Sequence, residues 1–309
     1  MRGETMIAAV IVTYNRKELL GENIQMLLKQ TYLIDRICIV DNCSTDGTSE
    51  YLQKNGWKNN QRFVYIRTES NIGGAGGFYI GTKAAFEFGA NWILLMDDDG
   101  KMADRFMLEN LMSVAERLYK NKVADRKLFI NALVQQGEML SFKMGTKYTV
   151  QQALEASRNG ILEGEANPFN GTVISRELVE KIGYPNKAFF IKGDEVDYKQ
   201  RTLAAGGYIA TVVNARYLHP RPEMQEKTVL GIKVPFIVEA PWKEYYTARN
   251  FTYMYKSQKH YKAIVFEIIF VKLLAVFSLK CRKTSIIKMM LKGVYDGWKG
   301  KLGPNVRTS

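Results

Sequence analysis

Cysteine and histidine are scarce in this chain, and their scarcity removes whole classes of chemistry. The three cysteines, Cys38, Cys43 and Cys281, cannot build a disulfide framework, and none forms a C-x-x-C pair suited to zinc. The chain therefore reads as reduced and cytosolic. There are two histidines, His219 and His260, and no Ser-His-Asp or Cys-His pattern stands out. Two glycine motifs are also missing. A GxGxxG run from Gly74 would need glycine at position 79, which is Tyr79, and no loop ends in Gly-Lys-Ser/Thr. Residues 6–12 are apolar but too short for a signal peptide. The apolar stretch 263–279 is at the short limit for a membrane span and contains Glu267 and Lys272. No internal repeat or low-complexity linker is visible.

What is present is an ordinary globular composition with an uneven charge. The 309 residues are 46% hydrophobic and 24% charged, with a net charge of +13. Residues 242–309 hold 14 Lys+Arg against three acids, leaving 30 basic and 28 acidic side chains for the rest. The pattern predicts a near-neutral body at 1–241 and a basic helical region at 242–309, rather than a nucleic-acid-coating protein.

The body reads as an α/β fold with a mostly parallel sheet flanked by helices. Apolar runs at 7–13, 37–41, 63–67 and 92–96 read as strands, the first buried on both faces and the second also buried. Helical spacing at 16–29, turn and cap chemistry leading into a short helix near Asp46, and a helix over 78–89 alternate with them. Residues 73–77 read as a glycine-rich loop and 140–165 as loops over an acceptor site. Helices follow at 104–119, 177–182 and 194–205, and strands at 129–134, 170–175 and 208–213. Such sheets bind ligands beyond the carboxyl ends of their strands. Those ends carry Thr13-Tyr14-Asn15, Asp41-Asn42 and Asp97-Asp98-Asp99.

The acidic triplet is the sharpest feature. Adjacent carboxylates repel unless a cation or hydrogen bonds compensate. In an extended segment Asp97 and Asp99 point the same way, so both can approach one Mg2+ or Mn2+ ion. A solvated acidic turn is the alternative. A second cluster, Gly193-Asp194-Glu195-Val196-Asp197-Tyr198, is either a surface ion-pair lattice or the seat of a general base. The nearby Phe189 and Phe190 could bury a carboxylate there and raise its pKa. His219, in Tyr-Leu-His-Pro after a strand, could be a third metal ligand or a simply hydrogen-bonded histidine.

Taken in order, these pieces resemble the family 2 nucleotide-sugar glycosyltransferases. The matching segments are Val12-Thr13-Tyr14-Asn15-Arg16, Val40-Asp41-Asn42 through Thr48, Asn71-Ile72-Gly73-Gly74-Ala75-Gly76-Gly77, and Met96-Asp97-Asp98-Asp99. Phe189-Phe190-Ile191, Asp194 to Tyr198 with Arg201, and His219-Pro220 complete the set. The resemblance spans residues 6–255 and implies a GT-A fold and an inverting mechanism. It places Thr13, Tyr14, Asn15, Arg16, Asn71, Gly73, Gly74, Gly76, Gly77 and Asp98 around the donor, with Asp41 on its base. It makes Asp97, Asp99 and His219 the ligands of Mn2+ or Mg2+. The family's base is the second acid of a Glu-Asp pair; here Glu195 holds that position after Asp194, a departure that leaves either acid as base.

The glycine loop and Tyr245-Tyr246 with Arg249-Asn250 are similar to galactofuranosyltransferases and some rhamnosyltransferases. UDP-galactofuranose is thus the implied donor and dTDP-rhamnose the second, for transfer to a glycan or lipid-linked saccharide in cell-surface polysaccharide synthesis. The basic region is read as helices lying on an anionic membrane, which places the protein peripherally on the inner face. The alternative is a helical subdomain packed on the core or on another subunit of a homo-oligomer. A non-catalytic nucleotide-sugar-binding or scaffold protein is the reading from a different class, and no nucleic acid partner is expected.

Overall fold

The computed structural model describes residues 5–167, 169–222, 225–229, 232–236, 239–256, 273, 276 and 283–306. It divides into two compact units, Met1–Pro185 with Tyr198–Arg221, and Asn186–Asp197 with Pro222–Ser309.

The first unit begins with strict alternation: β1 (Ile7–Thr13), α1 (Lys17–Leu28), β2 (Arg36–Asp41), α2 (Thr48–Lys54), β3 (Phe63–Arg67), α3 (Gly73–Glu87) and β4 (Trp92–Asp97). Strands β3, β2, β1 and β4 lie side by side and parallel. Every residue of β1 is buried. Its alternate side chains feed two cores: Ile7, Ala9 and Ile11 join Leu20 and Ile24 of α1, while Ala8, Val10 and Val12 join Phe78 and Ala85 of α3. The chain winds outward from β1 in both directions, so the carboxyl end of β1 opens a crevice.

Beyond β4 the sheet becomes mixed. The elements are β5 (Lys101–Met102), α4 (Met107–Lys120), β6 (Leu128–Gln136), β7 (Met139–Met144), β8 (Lys147–Thr149), α5 (Val150–Ala156), β9 (Ile161–Glu163), β10 (Thr172–Ser175), α6 (Arg176–Ile182), α7 (Asp194–Ala204) and β11 (Tyr208–Leu218). The sheet runs β3-β2-β1-β4-β10-β6-β11-β5. Strand β10 is antiparallel to both β4 and β6, whereas β6 and β11 are parallel. This agrees with the α/β class and the mostly parallel sheet expected from the sequence.

Three local expectations are corrected. Residues 73–77 form the first turns of α3 instead of a loop. Two glycines of this helix serve contact: a Cβ on Gly77 would lie 2.4 Å from Val12 Cγ1, and one on Gly81 2.2 Å from Val10 Cγ1. The helix thus sits closer to β1 than side chains permit. Residues 140–165 are not loops: β7 pairs with β6 and β8, β9 pairs with β11, and a Thr149–Gln152 capping box starts α5. Strand β11 continues past Val213 to Leu218, through an irregularity between Val212 and Arg216.

The second unit contains Asn186–Asp197, the hairpin β12 (Gln225–Val229) and β13 (Ile232–Phe236), α8 (Pro241–Tyr255) and α9 (Lys283–Lys299). Helix α9 packs on α8 through Gly293 and Gly297, whose Cβ atoms would lie 2.4 Å from the Tyr245 carbonyl and 2.2 Å from the Arg249 carbonyl. Ala248, Ile286, Met290 and Val294 fill the seam. The apolar stretch 263–279 lies outside the described residues except for Leu273 and Val276, and so does His260. No helix among the described residues is long and apolar enough to cross a membrane.

The α3 contact predicts a sign. Helix propensity alone gives Gly81→Ala a gain of about 1 kcal/mol. Overpacking against Val10 should instead lower stability, by about 1–3 kcal/mol in urea unfolding.

Candidate functional site

The site grows from the carboxyl ends of the strands. Strand β4 ends at Asp97, and the turn 98–100 leads into β5, which pairs with the end of β11 through Met102–Tyr217 and Lys101–Leu218. That short antiparallel match brings the acidic turn beside His219, the residue after β11. Gly100 is required in the turn, because a Cβ there would lie 2.4 Å from the Tyr217 ring. One donor atom from each of Asp97, Asp99 and His219 falls within 4.8 Å of the others, and all three are half-buried.

The three carboxylates have different partners. Asp98 is buried, accepting from Thr13 Oγ1 at 2.8 Å and from the Arg16 guanidinium at 2.9 Å. Burial raises its pKa, and Arg16 and Thr13 offset that only in part. Asp99 also accepts from Arg16, at 2.8 Å, and lies 3.3 Å from His219 Nε2. Burial pushes Asp99 up, but His219 and Arg16 together bring it below the usual carboxylate value. The backbone carbonyl of Asp97 accepts from Asn23 Nδ2 at 2.9 Å.

His219 is held from both sides. Its Nδ1 lies 2.7 Å from the Pro220 carbonyl, which can only accept, so Nδ1 carries a proton. The Phe142 ring packs on it at 5.1 Å, and Ser141 Oγ donates to its carbonyl at 2.5 Å. Both residues belong to β7, within the stretch 140–165 expected to be loops. The alternation of Leu140, Phe142 and Met144 between Gly137 and Gly145 was the available signal. In the Nδ1–H tautomer Nε2 offers a lone pair toward the acids. Two carboxylates and an imidazole form a donor set that fits Mn2+ or Mg2+.

The candidate donor residues share this end of the sheet. Asp41 is buried, accepting from Tyr65 Oη at 2.6 Å and the Ser44 amide at 2.8 Å. Asn15 adopts φ 54° and accepts from the Thr45 amide at 2.7 Å, while Tyr14 is exposed. Asn71 accepts from the Gly73 amide at 2.8 Å, and Asn42 Nδ2 donates to the Gly73 carbonyl at 3.0 Å. Helix α3 begins here with its Gly73 amide taken by Asn71, and nothing lies within 4 Å of a Cβ on Gly74, which leaves the start of the helix open to a close approach at that residue. Asp194 and Glu195 open α7 in the second unit, Asp194 buried and Glu195 half-buried, where negative charge suits the helix N-terminus.

A family model described as Glycosyl transferase family 2 matches residues 8–163, about half of the chain. The galactofuranosyltransferase GlfT1 of Mycobacterium tuberculosis is 30% identical over 251 residues, 80% of this chain and 81% of that one. The dTDP-rhamnosyl transferase RfbF of Shigella flexneri is 24% identical over 313 residues, 96% of this chain and 97% of that one. Among solved structures, the mannosyltransferase PcManGT of Pyrobaculum calidifontis, in complex with GDP-Man and Mn2+, superposes with a TM-score of 0.54 at 12% identity. It covers 96% of this chain and 87% of that one. That likeness is one of fold, the GT-A architecture.

The Asp99–His219 pair has a pH signature. Burial alone would lower the His219 pKa, yet the bond and charge of Asp99 leave it above 6.5. With Asp99 ionised, the His219 side of the pair therefore contributes fully to stability below the unfolded value of about 6.5, until acid protonates Asp99. That contribution is lost as pH rises through the raised folded value. In the metal-free protein Asp99→Asn should drop the His219 pKa, read from its ring protons by NMR titration; an unmoved pKa would exclude the pairing as its cause.

Proposed function

The chain belongs to glycosyl transferase family 2, and from that membership we propose that it moves galactofuranose from UDP-galactofuranose to a hydroxyl of a glycan or lipid-linked saccharide in cell-surface polysaccharide synthesis. It is a glycosyltransferase that draws on a nucleotide-sugar donor. The donor sugar rests on one observation above others: the likeness to GlfT1 covers 80% of the chain at 30% identity. A dTDP-rhamnose donor is the second reading, favoured by the match to RfbF along 97% of that protein.

The residues take roles in this proposal. Thr13, Tyr14, Asn15, Arg16, Asn71, Gly73, Gly74, Gly76, Gly77 and Asp98 hold the donor, and Asp41 faces its base. Asp97, Asp99 and His219 hold a divalent ion, Mn2+ or Mg2+, supported by their mutual distances within 4.8 Å. Such an ion supplies positive charge against the diphosphate as it leaves. In this proposal Arg16, which pairs with Asp98 and Asp99, adds its own charge there. Glu195 takes the proton of the acceptor hydroxyl as that oxygen bonds to the anomeric carbon. The bond from that carbon to the diphosphate breaks on the opposite face, which inverts the centre. Asp194 is the alternative base.

The proposal extends to an anionic membrane surface as partner. Leu291, Tyr295 and Trp298 recur at i, i+4 and i+7 on α9 and are 55%, 56% and 58% exposed, beside exposed Lys288, Lys292 and Lys299. Aromatic side chains among lysines suit the headgroup region of acidic lipids.

Three measurements test these readings. In a panel of nucleotide sugars with Mn2+ or Mg2+, UDP-galactofuranose should be turned over and dTDP-rhamnose should not; the reverse installs the rhamnosyl reading. Glu195→Gln should abolish transfer while UDP still binds, and near-normal turnover would remove Glu195 as the base. In flotation, liposomes with anionic lipid should carry the protein upward and neutral ones should not, with Trp298→Ala weakening the effect. Equal behaviour on both would end the membrane reading.

A further inference from the structure

The second unit contains a buried arginine and asparagine whose donors converge on one short stretch of backbone. Arg249 and Asn250 sit side by side on α8, each with no exposed surface. The Arg249 guanidinium donates to the carbonyls of Phe189 at 2.8 Å and Ala188 at 3.3 Å, and to that of Gly303. Its Nε donates to Asn250 Oδ1 at 2.8 Å. Asn250 Nδ2 in turn faces the carbonyls of Phe189 at 3.0 Å, Ile191 at 2.8 Å and Lys192 at 2.7 Å. Burial lowers the pKa of Arg249, and the Tyr246 ring lies 4.7 Å from its guanidinium carbon.

The backbone they hold is one that would not keep its shape alone. Phe190 and Lys192 both have φ 66°, in the left-handed region that residues with a Cβ avoid, and Gly193 follows at φ 87°. Such a conformation persists only where its surroundings over-determine it. Here the surroundings are the two α8 side chains, the Phe190 ring against Tyr246 at 4.9 Å, and the Gly303 amide donating to Ala188 at 2.8 Å. The next residues are Asp194 and Glu195, and the Gly193 carbonyl accepts the Asp197 amide at 2.8 Å. The strained stretch therefore sets where α7 starts and which way its first acids project.

We infer that Arg249 and Asn250 are positioning residues for the acidic pair Asp194–Glu195, acting through the carbonyls of residues 188–192. The inference rests on the reading above that this pair carries the base. Both side chains are fully buried, so they act through the backbone and not on substrate. Arginine is specifically suited to the place, because its fork reaches several carbonyls where a lysine offers one nitrogen.

The test uses Asn250→Asp, which turns an amide donor into an acceptor facing three carbonyls, and Arg249→Lys as a milder second variant. Each is measured for kcat, acceptor and donor KM, UDP affinity by calorimetry, thermal midpoint, and hydrogen exchange over residues 189–198. Displacement of a reacting group by about 1 Å costs on the order of 100-fold in rate. The expected result is a kcat loss of that order, with UDP affinity held, the midpoint lowered by the lost buried bonds and exchange accelerated over 189–198. Unchanged kcat in a variant with accelerated exchange overturns the inference. So does a kcat loss accompanied by an equal loss in UDP affinity, which marks a merely structural role. Turnover by both Glu195→Gln and Asp194→Asn would overturn the base assignment, and the inference with it. The exchange data remain separate: protected amides in active Asn250→Asp reject the positioning contact whichever acid is the base.

Discussion

Repulsion among three carboxylates at the end of β4 is the constraint that the first unit is arranged to meet. Neighbouring aspartates cannot share one environment without raising each other's pKa. The fold separates them: Asp98 turns inward to Thr13 and Arg16, while Asp99 reaches His219. Arg16 touches two of the three, so one guanidinium spans the turn. These partners come from distant parts of the chain. Thr13 and Arg16 arrive because β1 lies beside β4, and His219 arrives because β11 pairs with β5. The strand order is thus also the order that brings counter-charges to the acids.

Much of this was legible in the sequence. The first four strands are continuous apolar runs, a pattern few other structures require, and their ends carry the polar residues. The two-residue period of an extended segment was enough to group Asp97 with Asp99. What escaped the sequence depends on contacts that leave no local trace. Nothing near Gly77 announces that Val12 will lie against it, so the glycines read as a loop when they begin a helix. The partner that draws Asp98 away from its neighbours is Thr13, 85 residues earlier. His219 could be nominated from its place after a strand, but its meeting with the acids could not, because the two-residue strand β5 that brings them together is too short to recognise.

The second unit illustrates a different kind of hidden information. The stretch Asn186–Asp197 belongs with the C-terminal helices, far from it in sequence. The reason is chemical: a run with two left-handed non-glycine residues needs outside donors, and α8 supplies them. The net charge of the C-terminal part said nothing of this. One of its positive charges, Arg249, is buried among carbonyls, while Lys288 and Lys299 remain at the surface. Charge counted along a chain therefore mixes internal fasteners with outward-facing groups.

The brevity of β5 has a consequence for how the chain can change length. Three residues, 98–100, separate β4 from β5, and both strands are anchored, β4 between β1 and β10 and β5 on β11. One residue more or less in that interval would shift the Lys101–Leu218 register or turn position 99 to the other face. The turn of the β7–β8 hairpin, at Gly145, bears no such tie to two anchored strands. Insertions and deletions are accordingly tolerable there and excluded at the acidic turn, so the spacing of these aspartates is fixed by carpentry as firmly as by chemistry.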